Sequence, residues 1–156
     1  MTEDQIARYL VSVYEGEISG WAYFKQIATC YEGSGQSQKL ECLARLEKRT
    51  AEWLTPVLAR YELRARPDEE SSALGIEEAN TDAEKTWHQL ITYFRDDIAP
   101  WIAKLDALEA AAHDADRQAL HALTQHAVAF LEFTQRELAG VQPSQQPVES
   151  LLAQWR

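Results

Sequence analysis

The chain is short of everything that builds sheets, staples or membrane spans. Six glycines and five prolines in 156 residues are few, and no apolar/polar alternation runs long enough for a strand, which leaves an all-α fold. Two cysteines, Cys30 and Cys42, form neither a C-x-x-C pair nor a disulfide framework. They flank a short turn, so both a cross-link and two reduced, half-buried thiols are compatible with the sequence; the reduced state is the expectation for a cytosolic chain. No apolar run reaches the ~18 to 20 residues of a membrane span, and the acidic start MTEDQ has no apolar signal core behind it. Positive charge is scarce too: 15 Lys and Arg against 25 Asp and Glu give a net charge of -10. The one local concentration, Arg60, Arg64 and Arg66, sits where a helix C-terminus favours cations. Nucleic acid and membrane are therefore poor partners, and a cytoplasmic location is expected. A Gly-rich phosphate loop, a Ser-His-Asp set and a nucleophilic cysteine context are missing as well, which argues against common nucleotide and hydrolase chemistries.

What is present is helical periodicity. With 46% hydrophobic residues, the chain is long enough to bury roughly two-thirds of its unfolded surface. Thr2 with Gln5 makes a capping box for a first helix over about 3–32, whose stripe is Ile6, Leu10, Val13, Glu17, Gly20, Phe24, Ile27, Tyr31. After the turn EGSGQS, a second helix over about 37–65 follows Leu40, Leu43, Glu47, Thr50, Leu54, Val57, Tyr61; Pro56 either kinks it or restarts it with Thr55 as cap. Residues 67–81 lack a long periodic pattern. Thr81 with Glu84 reads as the box that opens a third helix over about 82–112, with Pro100 as a kink candidate. A fourth, over about 114–139, carries Leu120, Leu123, Ala127, Phe130 and Thr134 and ends at Gly140. Residues 1–140 thus form a four-helix bundle, and 141–156 a tail with a short docking helix through Val148, Leu151, Leu152 and Trp155.

Loop lengths bear on topology. The first and third connections are short and force antiparallel neighbours, while the middle one, about 15 residues, reaches ~50 Å if extended, enough to run back along a ~45 Å helix. The pattern predicts two hairpins joined by a longer crossover; an up-down-up-down bundle in which residues 67–81 form a loose corner or a small extra helix is the rival. The first helix also carries Tyr9, Val11, Tyr14, Ile18, Trp21, Ala22 and Tyr23 beyond its stripe, more apolar arc than one core needs. A homodimer through that helix is expected, the alternative being cover by the C-terminal tail.

Two stripes are interrupted at their centres. Glu17 on the first helix and Glu47 with Thr50 on the second fall at one level of an antiparallel hairpin. Buried carboxylates need a cation, an arginine or a shared proton. The arginine alternative has candidates in Arg45, Arg49 and Arg95, with Thr50 and a tyrosine hydroxyl as further partners. The metal alternative has a precedent: Glu17, with Glu47 and a polar residue at i+3, resembles the first half of a ferritin-like di-iron carboxylate site, where that family places Glu on one helix and Glu-x-x-His on the next. The resemblance spans residues 2–140 and departs from the pattern in three places. Thr50 stands where the family has histidine, the fourth helix has Ala127 and Phe130 at its central inward positions, and the third offers at best Asp96 or Asp97.

Carried over residue by residue, the resemblance implies metal ligands at Glu17, Glu47 and His126, with Thr50 and Asp97 as lesser candidates. Glu132 with Gln135 is the other polar pair on the fourth helix. Two functions follow. One is a ferritin-like bundle with an eroded site, without metal or catalysis, acting through self-association or ligand binding. The other is a non-haem iron or manganese oxidase or oxygenase that uses the residual Glu/Glu/His set. His88 and His121 read as solvated, His113 as a cap of the third helix, Gly20 as room for close helix approach, and Trp87 and Trp101 as walls of a cavity.

Overall fold

In the computed structural model, which describes residues 1–33 and 35–156, the chain is all-α: α1 (Glu3–Ile27), α2 (Gln36–Arg60), α3 (Asp68–Asp82), α4 (Trp87–Ile98), α5 (Trp101–Ala110), a 3-10 turn (Asp114–Asp116), α6 (Arg117–Ala139) and α7 (Gln146–Gln154). Ser34, inside the predicted first turn, lies outside the described residues. Among those described, no helix is long and apolar enough to cross a membrane.

The capping box of Thr2 and Gln5 opens α1, which stops at Ile27 rather than near 32. Gly35, in the left-handed region at φ 79° that a side chain disfavours, precedes α2. Pro56 neither ends nor restarts α2, which is one helix from Gln36 to Arg60 and stops short of 65. Thr55 and Pro56 face solvent, where the helix hydrogen bond that proline cannot donate is least costly to lose. Pro100 does break the third predicted helix, into α4 and α5. Both cysteines are free, Cys30 exposed and Cys42 buried.

The middle connection departs most from expectation. Residues 68–82 form a helix, and Thr81 lies in its last turn, bonded to the Glu77 carbonyl, so it does not open the next helix. Thr86 with Gln89, a second T-x-x-[E/Q] pair, forms the capping box of α4. Contacts of Tyr14 with Asp68, Gln26 with Asn80 and Tyr31 with the Lys85 carbonyl advance together along both chains, so α3 runs parallel to α1. The crossover is thus a helix that carries the chain back along α1, after which α4 and α5 descend antiparallel to it. The buried residues of α3 are Ser71, Gly75 and Ala79, small and four apart, and then Asp82 in the last turn, which accepts from Tyr23. A Cβ on Gly75 would stand 2.0 Å from the Ser19 carbonyl oxygen. Neither backbone can yield there, so Gly75→Ala should cost about 3 kcal/mol, measured as a lower urea midpoint at unchanged m.

With α3 in place, part of the surplus apolar arc of α1 is used within the chain: Ile18 and Tyr23 are 6% exposed each. Tyr9, Val11, Tyr14, Trp21 and Ala22 stay half-buried, so α3 takes up some of that arc and not all of it. The tail does not supply the cover either, because α7 packs on α6 and α2, burying Val148 and Leu151. Two apolar clusters fill the interior, one around Phe24, Leu43, Phe94 and Phe130, the other around Leu10, Leu54, Leu108 and Leu123. Between them lies a polar layer.

Candidate metal centre

That layer takes one element from each of three helices. Because α1 and α2 are antiparallel about a turn near residue 33, Glu17 and Glu47 come to the same height. α6 runs parallel to α1 and brings His126 to that height from the opposite side. Ligand atoms of Glu17, Glu47 and His126 lie within 4.8 Å of one another, and all three residues are buried. His126 Nδ1 is 3.5 Å from Glu17 Oε1, and Nε2 is 3.8 Å from Glu47 Oε2. Gly20 makes room for this arrangement, since an added Cβ would meet the Glu47 carboxyl carbon at 2.8 Å. The glycine admits a carboxylate; the close helix approach occurs at Gly75 instead.

Thr50 holds the imidazole. Its hydroxyl donates to the Leu46 carbonyl at 2.8 Å and faces His126 Nδ1 at 2.8 Å with a lone pair. A hydroxyl has one proton to give, so Nδ1 carries the hydrogen of this contact and Nε2 keeps its lone pair toward Glu47. Thr50 therefore orients the imidazole and is not placed as a ligand. Phe130 stacks on the ring, at 6.2 Å between centroids.

The electrostatics leave a gap to be filled. Burial, and then the charge of Glu47, push the Glu17 carboxyl well above the usual carboxylate range. Burial lowers His126, partly offset by the Glu47 charge, so the ring is neutral and supplies no counter-charge. The arginines offered by the sequence are engaged elsewhere: Arg49 with Glu52 and the Trp155 carbonyl, Arg95 with Asp96, while Arg45 lies beside Glu149 in a surface cleft near α7. No tyrosine closes the gap either, since Tyr14 and Tyr23 donate to Asp68 and Asp82. Glu17 Oε2 is buried without a hydrogen-bond partner. An orphaned carboxylate oxygen is costly unless something binds it.

A divalent ion fits this gap. Two donors bound at about 2.1 Å stand at most ~4.2 Å apart, so a group already within 4.8 Å closes by small side-chain rotations. Two carboxylates and one imidazole suit iron(II), manganese(II) or zinc. One such group of three exists among the described residues, which fits one ion. Asp97 is not in it; it is exposed and lines the mouths of two cavities beside the group. Glu132 pairs outward with Arg136, Asp96 is exposed, and His121 meets Glu109 at the surface. His113 lies against Tyr61 before the 3-10 turn. Trp101 walls one of the cavities, whereas Trp87 sits at the far end of the molecule on Glu137.

Glu137 marks a second buried polar cluster that periodicity did not single out. Lys39 donates to it at 2.7 Å, Trp87 at 2.9 Å and Gln142 at 3.2 Å, and Ser144 adds a short hydroxyl contact. Burial alone would raise the Glu137 carboxyl, but the bonds from Lys39, Ser144, Trp87 and Gln142 outweigh it and hold the value at about 2. The cluster is saturated and ties the tail to α2 and α4, so it is structural. A depressed carboxylate stabilises the fold above its unfolded value, near 4.3, and that contribution is lost as pH falls from there toward about 2. Glu137→Ala should cost about 3 kcal/mol at pH 7 by stranding buried Lys39, with the difference from the parent shrinking in acid, as chemical denaturation across pH will measure. Searches of protein-family models, curated proteins and solved structures return no match to this chain.

Proposed function

We propose that this protein is a metalloprotein on a ferritin-like four-helix bundle, in which Glu17, Glu47 and His126 hold one iron or manganese ion, and that it serves as an oxidase or oxygenase of a small organic molecule. The observation that carries the reading is the convergence of three donors from three helices at mid-core, with a carboxylate oxygen unpartnered and, among the described residues, His126 in place of any lysine or arginine beside the two carboxylates. The topology supports the bundle: two antiparallel pairs, α1 with α2 and α4–α5 with α6, linked by a connection that returns along the molecule, as in crossover bundles. When bound, such an ion supplies open coordination positions for dioxygen or substrate. The chain's own residues do the rest. Thr50 fixes the His126 tautomer, Gly20 seats the Glu47 carboxylate, and Trp101, Leu105 and Leu123 keep the adjoining space apolar.

The second reading is a bundle that acts through association or ligand binding, without catalysis. Ala127 and Phe130 favour it, because they occupy the central positions of α6 where a second Glu-x-x-His would complete a two-metal set. Anaerobic loading with iron(II) followed by exposure to dioxygen separates the two. The oxidase reading expects oxidation of the bound iron well above the rate of iron in buffer, and loss of that acceleration in Glu17→Gln. A rate equal to that of free iron would leave the non-catalytic reading.

A further inference from the structure

Two cavities meet beside the polar layer, and their charge has one sign. The larger, about 280 Å³, opens on Glu17, Glu47 and His126 between Trp101, Leu105 and Leu123. The other, about 240 Å³, lies against Phe24, Phe94 and Tyr93. Gly16, Glu47, Asp97 and Ile98 line both, and Gly16 borders open space, since an added Cβ would meet nothing within 4 Å. The charged side chains in the two linings are Glu17, Glu47, Glu78 and Asp97, with no lysine or arginine among them. Glu17, 9% exposed, is one of the residues lining the larger cavity, with its Oε2 buried and unpartnered, and Asp97 has no ion-pair partner among the described residues.

We propose that this space binds a small organic amine, its ammonium drawn to Asp97 and Glu78 at the mouth and its short apolar body lying against Trp101 and Leu105. The inference names the ligand class of the site and rests on the metal reading in that the amine is the molecule presented to the ion. A divalent ion neutralises Glu17 and Glu47 and leaves the charges of Glu78 and Asp97 unbalanced. In the metal-free protein carboxylate and phosphate ligands are disfavoured, because they would meet Glu47, Glu78 and Asp97 with no lysine or arginine in the linings to offset them. The volumes are at the lower end for ligand pockets, which restricts the body to a few carbons.

The test uses the full chain, metal-free and zinc-loaded, with n-pentylamine and pentanoate as probes, followed by saturation-transfer NMR and tryptophan fluorescence. The amine should bind the metal-free form at least tenfold more tightly than pentanoate and should still bind the zinc-loaded form. Asp97→Asn should weaken the amine about threefold, and Gly16→Leu should abolish its binding by projecting into the open space beside Gly16, with Gly16→Met as a second plug if the leucine variant is not helical by circular dichroism. Equal affinity of the metal-free form for the two probes, or amine binding unchanged in Asp97→Asn and in the Gly16 variants, overturns the inference. Metal uptake without amine binding overturns it alone; amine binding without metal uptake upholds the ligand class and overturns the metal reading alone.

Discussion

Exchanging Glu17 and Glu47 together for glutamine should stabilise the metal-free protein by about 2 kcal/mol at pH 7, against the usual rule that core substitutions destabilise. The two carboxyls are buried, face each other and have no cation, so folding must either confine two like charges or hold a proton on Glu17. Glutamine keeps the shape, removes the repulsion and can give each oxygen or nitrogen a neutral partner. An acid whose value is raised in the folded state stabilises the fold below its unfolded value and loses that contribution as pH rises through the folded one. The gain from Glu17→Gln should therefore grow from acid to neutral pH, which urea unfolding between pH 4.5 and 8 will record. A loss of stability on the double exchange would mean that the carboxyls have favourable partners in the apo protein.

Metal should produce the opposite effect on the parent chain. At free manganese a hundredfold above Kd, stability should rise by about 2.7 kcal/mol, and the glutamine pair should show no rise. The ion needs both carboxylates charged and Nε2 of His126 unprotonated, and it must displace the proton that burial and the Glu47 charge keep on Glu17. Affinity should thus fall by up to about tenfold for each pH unit of acidification while that proton is present. Melting curves with and without manganese between pH 5.5 and 8 measure this. A stabilisation independent of pH would place the ion elsewhere.

The sequence carried the hairpin and its polar residues because both follow from counting. With a turn near 33, residue 17 must face 47 to 50, and the two breaks in the apolar stripes announced themselves. His126 was harder. Ala127 and Phe130 mark the centre of the α6 stripe, and a residue on its flank looks half-solvated unless a further element covers that side. Here Thr50 and Glu47 of α2 and Glu17 of α1 close over that flank, so it becomes core and His126 is 4% exposed.

The crossover was legible from its length, but its helical packing on α1 was not. α3 buries Ser71, Gly75 and Ala79, residues that a count of large apolar side chains passes over, although their four-residue spacing is itself a signal of close helix packing. With α3 unseen, the apolar surplus of α1 pointed to a second copy of the chain. Thr81 and Thr86 both begin acceptable capping boxes, and the choice between them turned on the same missing helix. Asp97 fell at the right height but in the exposed last turn of α4, just before the break at Pro100, where it lines a cavity instead of joining the buried group.

The central claim is that Glu17, Glu47 and His126 are ligands of one ion. The direct measurement is metal content per chain, by elemental mass spectrometry, of protein expressed with iron and manganese and purified without chelator, beside Glu17→Gln, Glu47→Gln and His126→Ala purified in parallel. One ion per chain in the parent and a loss of at least tenfold in each variant is the expected result. A parent free of metal, or a metal content that survives all three exchanges, would contradict it.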